Sequence, residues 1–296
     1  MKGAPVVSEV GHAAIRVTDL AAAEEFAVEV MGLSVTERSG DAVWLSHGGS
    51  HHSLQYIKGD RNAVDHVGLA ARDEDALAEV RARIGGSGLS MVSDGPLGPG
   101  IEDGFAFEAP EGFVVEVYSR MARAADASSG PGVRPNRLGH INFFVRDPAP
   151  MRALLIELLD FRISDLIEGG VFLRCNVDHH GIGVFEGNGL LHHHAWEVSS
   201  IVELAALADL IDARGGAVLW GPVRHGMGNN IALYLQDTSG VIVEYYCDMD
   251  RIYDDANYVP GNWERTGDKW YSLWAPGFPD GFAELGLPPH RHDSKS

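Results

Sequence analysis

Apolar residues three or four positions apart recur in four stretches: Ala23, Phe26 and Val30; Leu77, Val80 and Ile84; Met151, Leu154, Leu155 and Leu158; Leu204, Leu207 and Ile211. This spacing gathers them on one face and predicts four amphipathic helices. Candidate N-caps precede each: Thr18 or Asp19, Asp73, Asp147 ahead of Pro148, and Ser199 or Ser200. Gly32, Gly85 and Gly215 are expected to stop three of them, since glycine accepts the left-handed conformation common at helix ends. Between the helices lie short β-rich runs separated by Gly, Asp and Asn turns. The predicted order is β, α, β, β, β, four times over.

The pattern also repeats on a longer scale. Gly11-His12-Ala13-Ala14-Ile15-Arg16-Val17 is echoed by Gly139-His140-Ile141-Asn142-Phe143-Phe144-Val145, an offset of 128 residues. His51-His52 returns as His179-His180 and Glu116 as Glu244, both at 128, while His66 returns as His193 at 127. Several positions at one nearly constant offset imply a tandem duplication. The fold class expected is therefore α+β: two tandem domains, each of two βαβββ modules forming a curved, partly closed sheet. Residues 1–124 form the first domain, 125–136 a linker rich in Ala, Ser, Gly and Pro, and 137–250 the second domain. Residues 251–296 read as an aromatic-rich tail wrapping the second domain, perturbed by no helical or strand period, with order lost from about Pro289.

Charge narrows the classes of partner. With 23 basic against 42 acidic residues the formal charge is −19, which repels phosphate backbones and anionic lipid, so neither nucleic acid nor membrane is expected. No apolar run reaches the ~18 residues that span a bilayer, and no leader pattern opens the chain, so a cytoplasmic location is expected. Cys175 and Cys247 are too few for a disulfide framework and are read as strand packing residues.

Strand alternation then gathers the chemistry. His140, Asn142 and Phe144 share one strand face, His193 shares another with Ala195, and Glu244 shares a third with Ile242 and Tyr246. Two imidazoles and one carboxylate from three strands form the facial triad used by non-haem Fe(II) oxygenases, with coordination positions left open. A lone strand histidine is more often a satisfied core residue. Recurrence of the set in a duplicated frame, with a Glu inside an apolar strand, favours the metal.

Taken with Phe172-Leu173-Arg174-Cys175-Asn176, Asp178-His179-His180, Ala195-Trp196-Glu197-Val198, Arg224-His225-Gly226 and Leu233-Tyr234-Leu235, these residues resemble a two-domain type I extradiol catechol dioxygenase of the vicinal oxygen chelate superfamily. The resemblance runs to about Asp250. It implies Fe(II), or alternatively Mn(II), at His140, His193 and Glu244, with dioxygen as co-substrate and a small aromatic diol as substrate. It further implies His180 as the acid/base, with Tyr234 and His225 stabilising oxyanions. Asn142, Phe172, His179 and Trp220 are the implied substrate contacts. Ring opening would fall next to, not between, the hydroxylated carbons, and a homo-oligomer is expected.

The first domain keeps His12, His66 and Glu116 but has Ala14, Leu97 and Ala106 where Asn142, His225 and Tyr234 stand. The resemblance makes that set vestigial, with a second metal site as the alternative. Relatives acting on carboxylated catechols carry an Arg where Trp220 stands, so a flat apolar ring is favoured, although Arg224 or Arg265 could clamp a carboxylate. Two other classes stay open: a metal-dependent glyoxalase-like lyase or isomerase, separated by oxygen uptake, and a non-catalytic aromatic-ligand-binding protein, separated by metal content.

Overall fold

The computed structural model describes residues 4–124, 132–274 and 277–291. Most of the expected linker, at 125–131, and the end expected to lack order, from 292, lie outside the described residues. The first half runs β1 (Val7–Val17), α1 (Leu20–Glu29), β2 (Ser34–Arg38), β3 (Ala42–Ser46), β4 (Leu54–Lys58), then β5 (Ala63–Ala71), α2 (Glu74–Ser87), β6 (Met91–Ser93), β7 (Gly104–Glu108), β8 (Val114–Tyr118). The second runs β9 (Arg137–Val145), α3 (Pro148–Ala153) with a π turn over Leu154–Leu158, β10 (Arg162–Ile167), β11 (Gly170–Arg174), β12 (Ile182–Glu186). It continues with β13 (Leu190–Glu197), α4 (Ile201–Ala213), β14 (Trp220–Arg224), β15 (Ile231–Gln236) and β16 (Ile242–Cys247). These are the four βαβββ units that the hydrophobic pattern predicts.

The helix starts follow the capping chemistry. The carboxylates of Asp19, Asp73 and Asp147 accept from the backbone N–H of Ala22, Ala76 and Ala149 at 3.0, 2.7 and 3.0 Å. Glu203 reaches back to the N–H of Ser200 at 3.0 Å. One stop differs: α2 passes through Gly85 and ends at Gly88, whose φ is 84°. Ile84 is fully buried, and packing of that last turn outweighs the ~1 kcal/mol that an interior glycine costs.

Each half forms one mixed sheet. The strand order is β2-β3-β4-β1-β5-β8-β7-β6 in the first and β14-β15-β16-β13-β9-β12-β11-β10 in the second, extended by β17 (Gly261–Trp263) beside β10. The two units of each half meet along a central antiparallel pair, β1 with β5 and β9 with β13. A single apolar core runs through both halves, and the rings of Phe113 and Phe143 meet across it at 4.9 Å. Two buried phenols tie the halves: Tyr56 donates to Asp237 Oδ2 at 3.0 Å and Tyr245 donates to the Met31 carbonyl at 2.7 Å.

After β17 the tail passes beside the second sheet and then reaches the first. The backbone N–H of Val64 and His290 bond to the Pro288 and Val64 carbonyls at 2.8 and 2.6 Å, which ties the tail to the edge of β5. Not every tail aromatic is covered: Trp274 is 53% exposed and Tyr253 75%. Cys175 and Cys247 are buried free thiols. Among the described residues, no helix is long and apolar enough to cross a membrane.

Candidate metal centre

Three adjacent strands deliver the triad. β9 carries His140, β13 carries His193 and β16 carries Glu244, with Ala195 paired to His140 on one side and to Glu244 on the other. All three side chains are buried, and one ligand atom from each falls within 4.8 Å of the others. Glu244 Oε2 lies 3.2 Å from His140 Nε2 and 3.1 Å from His193 Nε2. Burial alone would raise the Glu244 carboxyl, yet His140 and its other polar neighbours hold it below the usual range, so it is a carboxylate at neutral pH.

A relay fixes how His193 presents itself. His192 Nε2 donates to the Phe282 carbonyl at 2.9 Å, which leaves His192 Nδ1 as an acceptor for His193 Nδ1–H at 2.7 Å. The lone pair of His193 is then on Nε2, which no hydrogen bond claims and which faces Glu244. Asn230 Nδ2 donates to Glu244 Oε1 at 3.0 Å and turns Oε2 toward the imidazoles. A neutral Nε2 with no protein partner, a second imidazole and a carboxylate fit a mononuclear Fe(II) or Mn(II) ion.

A second relay stands behind His180. His179 Nε2 lies 3.2 Å from Asp165 Oδ2, and its Nδ1 lies 3.0 Å from His180 Nδ1. With His179 donating to Asp165, His180 donates through Nδ1 and keeps its Nε2 lone pair. Burial, then the neighbouring imidazoles His140 and His179, hold the His180 pKa well down, so the ring is neutral at pH 7. Phe172 stacks on it with centroids 4.0 Å apart. His179 backs His180 and does not line the cavity, contrary to the sequence expectation that it meets substrate. The pair sits in the turn before β12, where strand alternation does not apply.

Across the site Tyr234 and His225 are coupled. His225 Nδ1 donates to the Tyr271 carbonyl at 2.5 Å, so its Nε2 accepts from the Tyr234 hydroxyl at 2.7 Å. Burial, then the Glu244 charge, pushes the Tyr234 phenol well up, and it stays a donor. Burial likewise lowers His225.

These groups line one cavity, open to solvent on one side, together with Asn142, Phe172, Trp220 and, from the tail, Trp270, Tyr271, Phe278 and Phe282. Among the described residues, no Lys or Arg lines it. Arg224, bonded to Asn229 and Asp248, and Arg265, which donates to the Glu168 carbonyl, are not among the residues that line it. Sequence reasoning missed Asp165, His192 and Asn230. A bulge between Leu191 and His193 breaks the alternation that would have turned His192 away. His12, His66 and Glu116 are likewise brought together, in the first sheet.

Fold and site define a class: tandem βαβββ proteins with a two-histidine, one-carboxylate cluster on a concave sheet. The chain belongs to the Glyoxalase/Bleomycin resistance protein/Dioxygenase superfamily, whose model matches residues 9–117 and 137–245. It is similar to metapyrocatechase 2 of Cupriavidus necator, 27% identical over 93% of this chain and 91% of that one. It is also similar to the manganese-dependent 2,3-dihydroxybiphenyl 1,2-dioxygenase of Geobacillus genomosp. 3, 24% identical over 90% of this chain and 94% of the relative. Among solved structures, the Mn(II)-bound glyoxalase from Novosphingobium aromaticivorans superposes with a TM-score of 0.86 at 26% identity, covering 98% of this chain and 97% of that one.

Proposed function

We propose that the chain is an extradiol dioxygenase that opens a catechol ring next to its hydroxylated carbons, using Fe(II) or Mn(II) at His140, His193 and Glu244. The observation that carries the reading is the convergence of a neutral His180 and the His225–Tyr234 pair on the cavity that holds the triad. When bound, an ion held by His140, His193 and Glu244 would supply Lewis acidity toward the diol oxygens and redox access to dioxygen.

The chain's own groups do the rest. His180 Nε2 takes a catechol proton and returns it later in the reaction. Tyr234 turns its single proton from His225 Nε2 to an oxygen of the diol, and His225, anchored at Tyr271, holds the phenol in place until the diol arrives. Phe172, Trp220 and the tail aromatics wall off water and grip a flat ring. A lining without Lys or Arg favours catechols with uncharged substituents over those bearing a carboxylate, which would lie buried without a counter-ion.

The test is oxygen uptake by Fe(II)- or Mn(II)-loaded protein against unsubstituted, alkyl, aryl and carboxylated catechols, with ring opening followed by absorbance. One dioxygen consumed per catechol with a yellow product is expected, fastest on the uncharged members. The likeness to a Mn(II)-bound glyoxalase keeps a second reading, a metal-dependent lyase or isomerase. Metal-loaded protein that consumes no oxygen with any catechol would decide for it.

A further inference from the structure

The first sheet holds a cluster that the catechol reading does not use. His12 on β1, His66 on β5 and Glu116 on β8 are 0%, 2% and 0% exposed. Glu116 Oε2 lies 3.1 Å from His12 Nε2 and 3.7 Å from His66 Nε2, and the two Nε2 atoms are 3.2 Å apart. One ligand atom of each lies within 4.8 Å of the others, the same bound that describes the second sheet.

Chance drift would not leave these atoms oriented as they are. His66 Nδ1 donates to Asp65 Oδ1 at 2.7 Å, and Asp65 Oδ2 is pinned by Arg16 Nε at 2.6 Å. The lone pair of His66 is therefore on Nε2, aimed into the cluster. A register shift between Ala14 and Ile15, opposite Asp65, lets these adjacent side chains meet, as the bulge at His192 does in the second sheet. Glu116 Oε1 accepts from the backbone N–H of Leu97 at 2.6 Å, and Oε2 is left toward the imidazoles without a well-formed hydrogen bond. Gly68 gives His12 its place, since a Cβ there would stand 2.0 Å from His12 Cε1.

With the His66 lone pair directed at an imidazole nitrogen and a carboxylate oxygen, protons alone satisfy this buried set poorly. A cation satisfies all three groups. The surroundings do not suit a ring: Ala14, Leu97 and Ala106 replace Asn142, His225 and Tyr234, and the larger Trp44 and Gln55 occupy the repeat positions of Phe172 and Gly183. Trp44 Nε1 and Gln55 Oε1 are buried without a protein partner and lie 3.4 and 3.9 Å from where a Gly98 Cβ would stand, one residue beyond Leu97. They suit water on an ion better than an organic ligand.

We propose that His12, His66 and Glu116 bind a second divalent first-row transition ion, held for structure and not for turnover. The test uses full-length protein stripped of metal, then equilibrated anaerobically with Mn2+ and desalted, with bound manganese counted per chain by elemental analysis. Wild type is expected to hold about two ions, Glu244→Gln and Glu116→Gln about one each, and the double variant about none. Should Glu116→Gln fail to fold by circular dichroism, His66→Asn takes its place. The proposal is overturned if Glu244→Gln holds no manganese while Glu116→Gln holds one, or if the ion kept by Glu244→Gln persists in the double variant. Failure of the dioxygenase reading would show separately, as absent oxygen uptake by wild type that carries its metal.

Discussion

The two halves carry the same ligand types on matching strands, yet they differ in what surrounds them. In the second half the triad opens onto an aromatic cavity, and His180, Tyr234 and the His225 that backs it all line it. In the first half His51 and His52 repeat the paired arrangement, with Nδ1 atoms 3.0 Å apart and His51 Nε2 3.2 Å from Glu37, where the second half uses Asp165. What the first half lacks is the opposite wall, where Leu97 and Ala106 stand. Ligand geometry and substrate chemistry are thus separable in this fold: the central strands supply the first, and the last hairpin with the tail supplies the wall that the first half lacks.

The largest expected difference follows from removing a ligand. His140→Ala should lower catechol turnover by on the order of 10³-fold or more, since loss of an ion's several kcal/mol of charge stabilisation converts to that range. His12→Ala should cost far less, and equal losses measured by oxygen uptake would end the division of labour between the halves. Next comes His180→Phe, which keeps the stacked ring against Phe172 but removes the basic nitrogen. Metal content should be unchanged while turnover falls by about 10²–10⁴-fold, the span of a general acid/base. Normal turnover by that variant would return the role to His225.

Acid should separate the halves by stability. Burial, the main cause in each case, lowers three imidazoles of the first half, His12, His47 and His52. It lowers five of the second: His180, His192, His193, His194 and His225. His47 and His192 are held down to about 4 and His194 to about 3, so the folded chain keeps them neutral while the unfolded chain takes up protons near pH ~6.5. The unfolded state then binds more protons, and stability is lost as pH falls from ~6.5 toward ~4. In metal-free protein, amide exchange should accelerate first in β13 to β16 over that window. Earlier exchange in β1 to β8 would contradict the comparison.

Much of this was legible because regular strands obey a simple rule. In β9, His140 and Asn142 face the cavity as alternation requires, and the constant offset singled out the triad among fourteen histidines. What was not legible lies where the rule fails. His192 enters through a bulge, His179 lies in a turn, and Asp165 gains its meaning only when His179, Gly261 and Trp263 converge on its carboxylate. Gly85 looked like a helix end because local propensity carries no information about what Ile84 packs against.

The smallest predicted difference concerns the ties between the halves. Tyr56 and Tyr245 are both fully buried and each makes one hydrogen bond across the junction, but the acceptors differ: the Asp237 carboxyl for one, the Met31 carbonyl for the other. Ser239 and Val241 satisfy Asp237 Oδ1, so Tyr56 is the partner of Oδ2. A bond to a charged group is worth about 1.5–3 kcal/mol and a neutral one about 0.5–1.5 kcal/mol. Tyr56→Phe should therefore lower the urea midpoint more than Tyr245→Phe at pH 7, with slopes unchanged. Burial raises the Asp237 carboxyl, against the hydrogen bonds from Ser239 and Tyr56 that lower it. Equal losses would mean that burial wins and that the carboxyl carries its proton at neutrality, making the two ties alike in chemistry as well as in place.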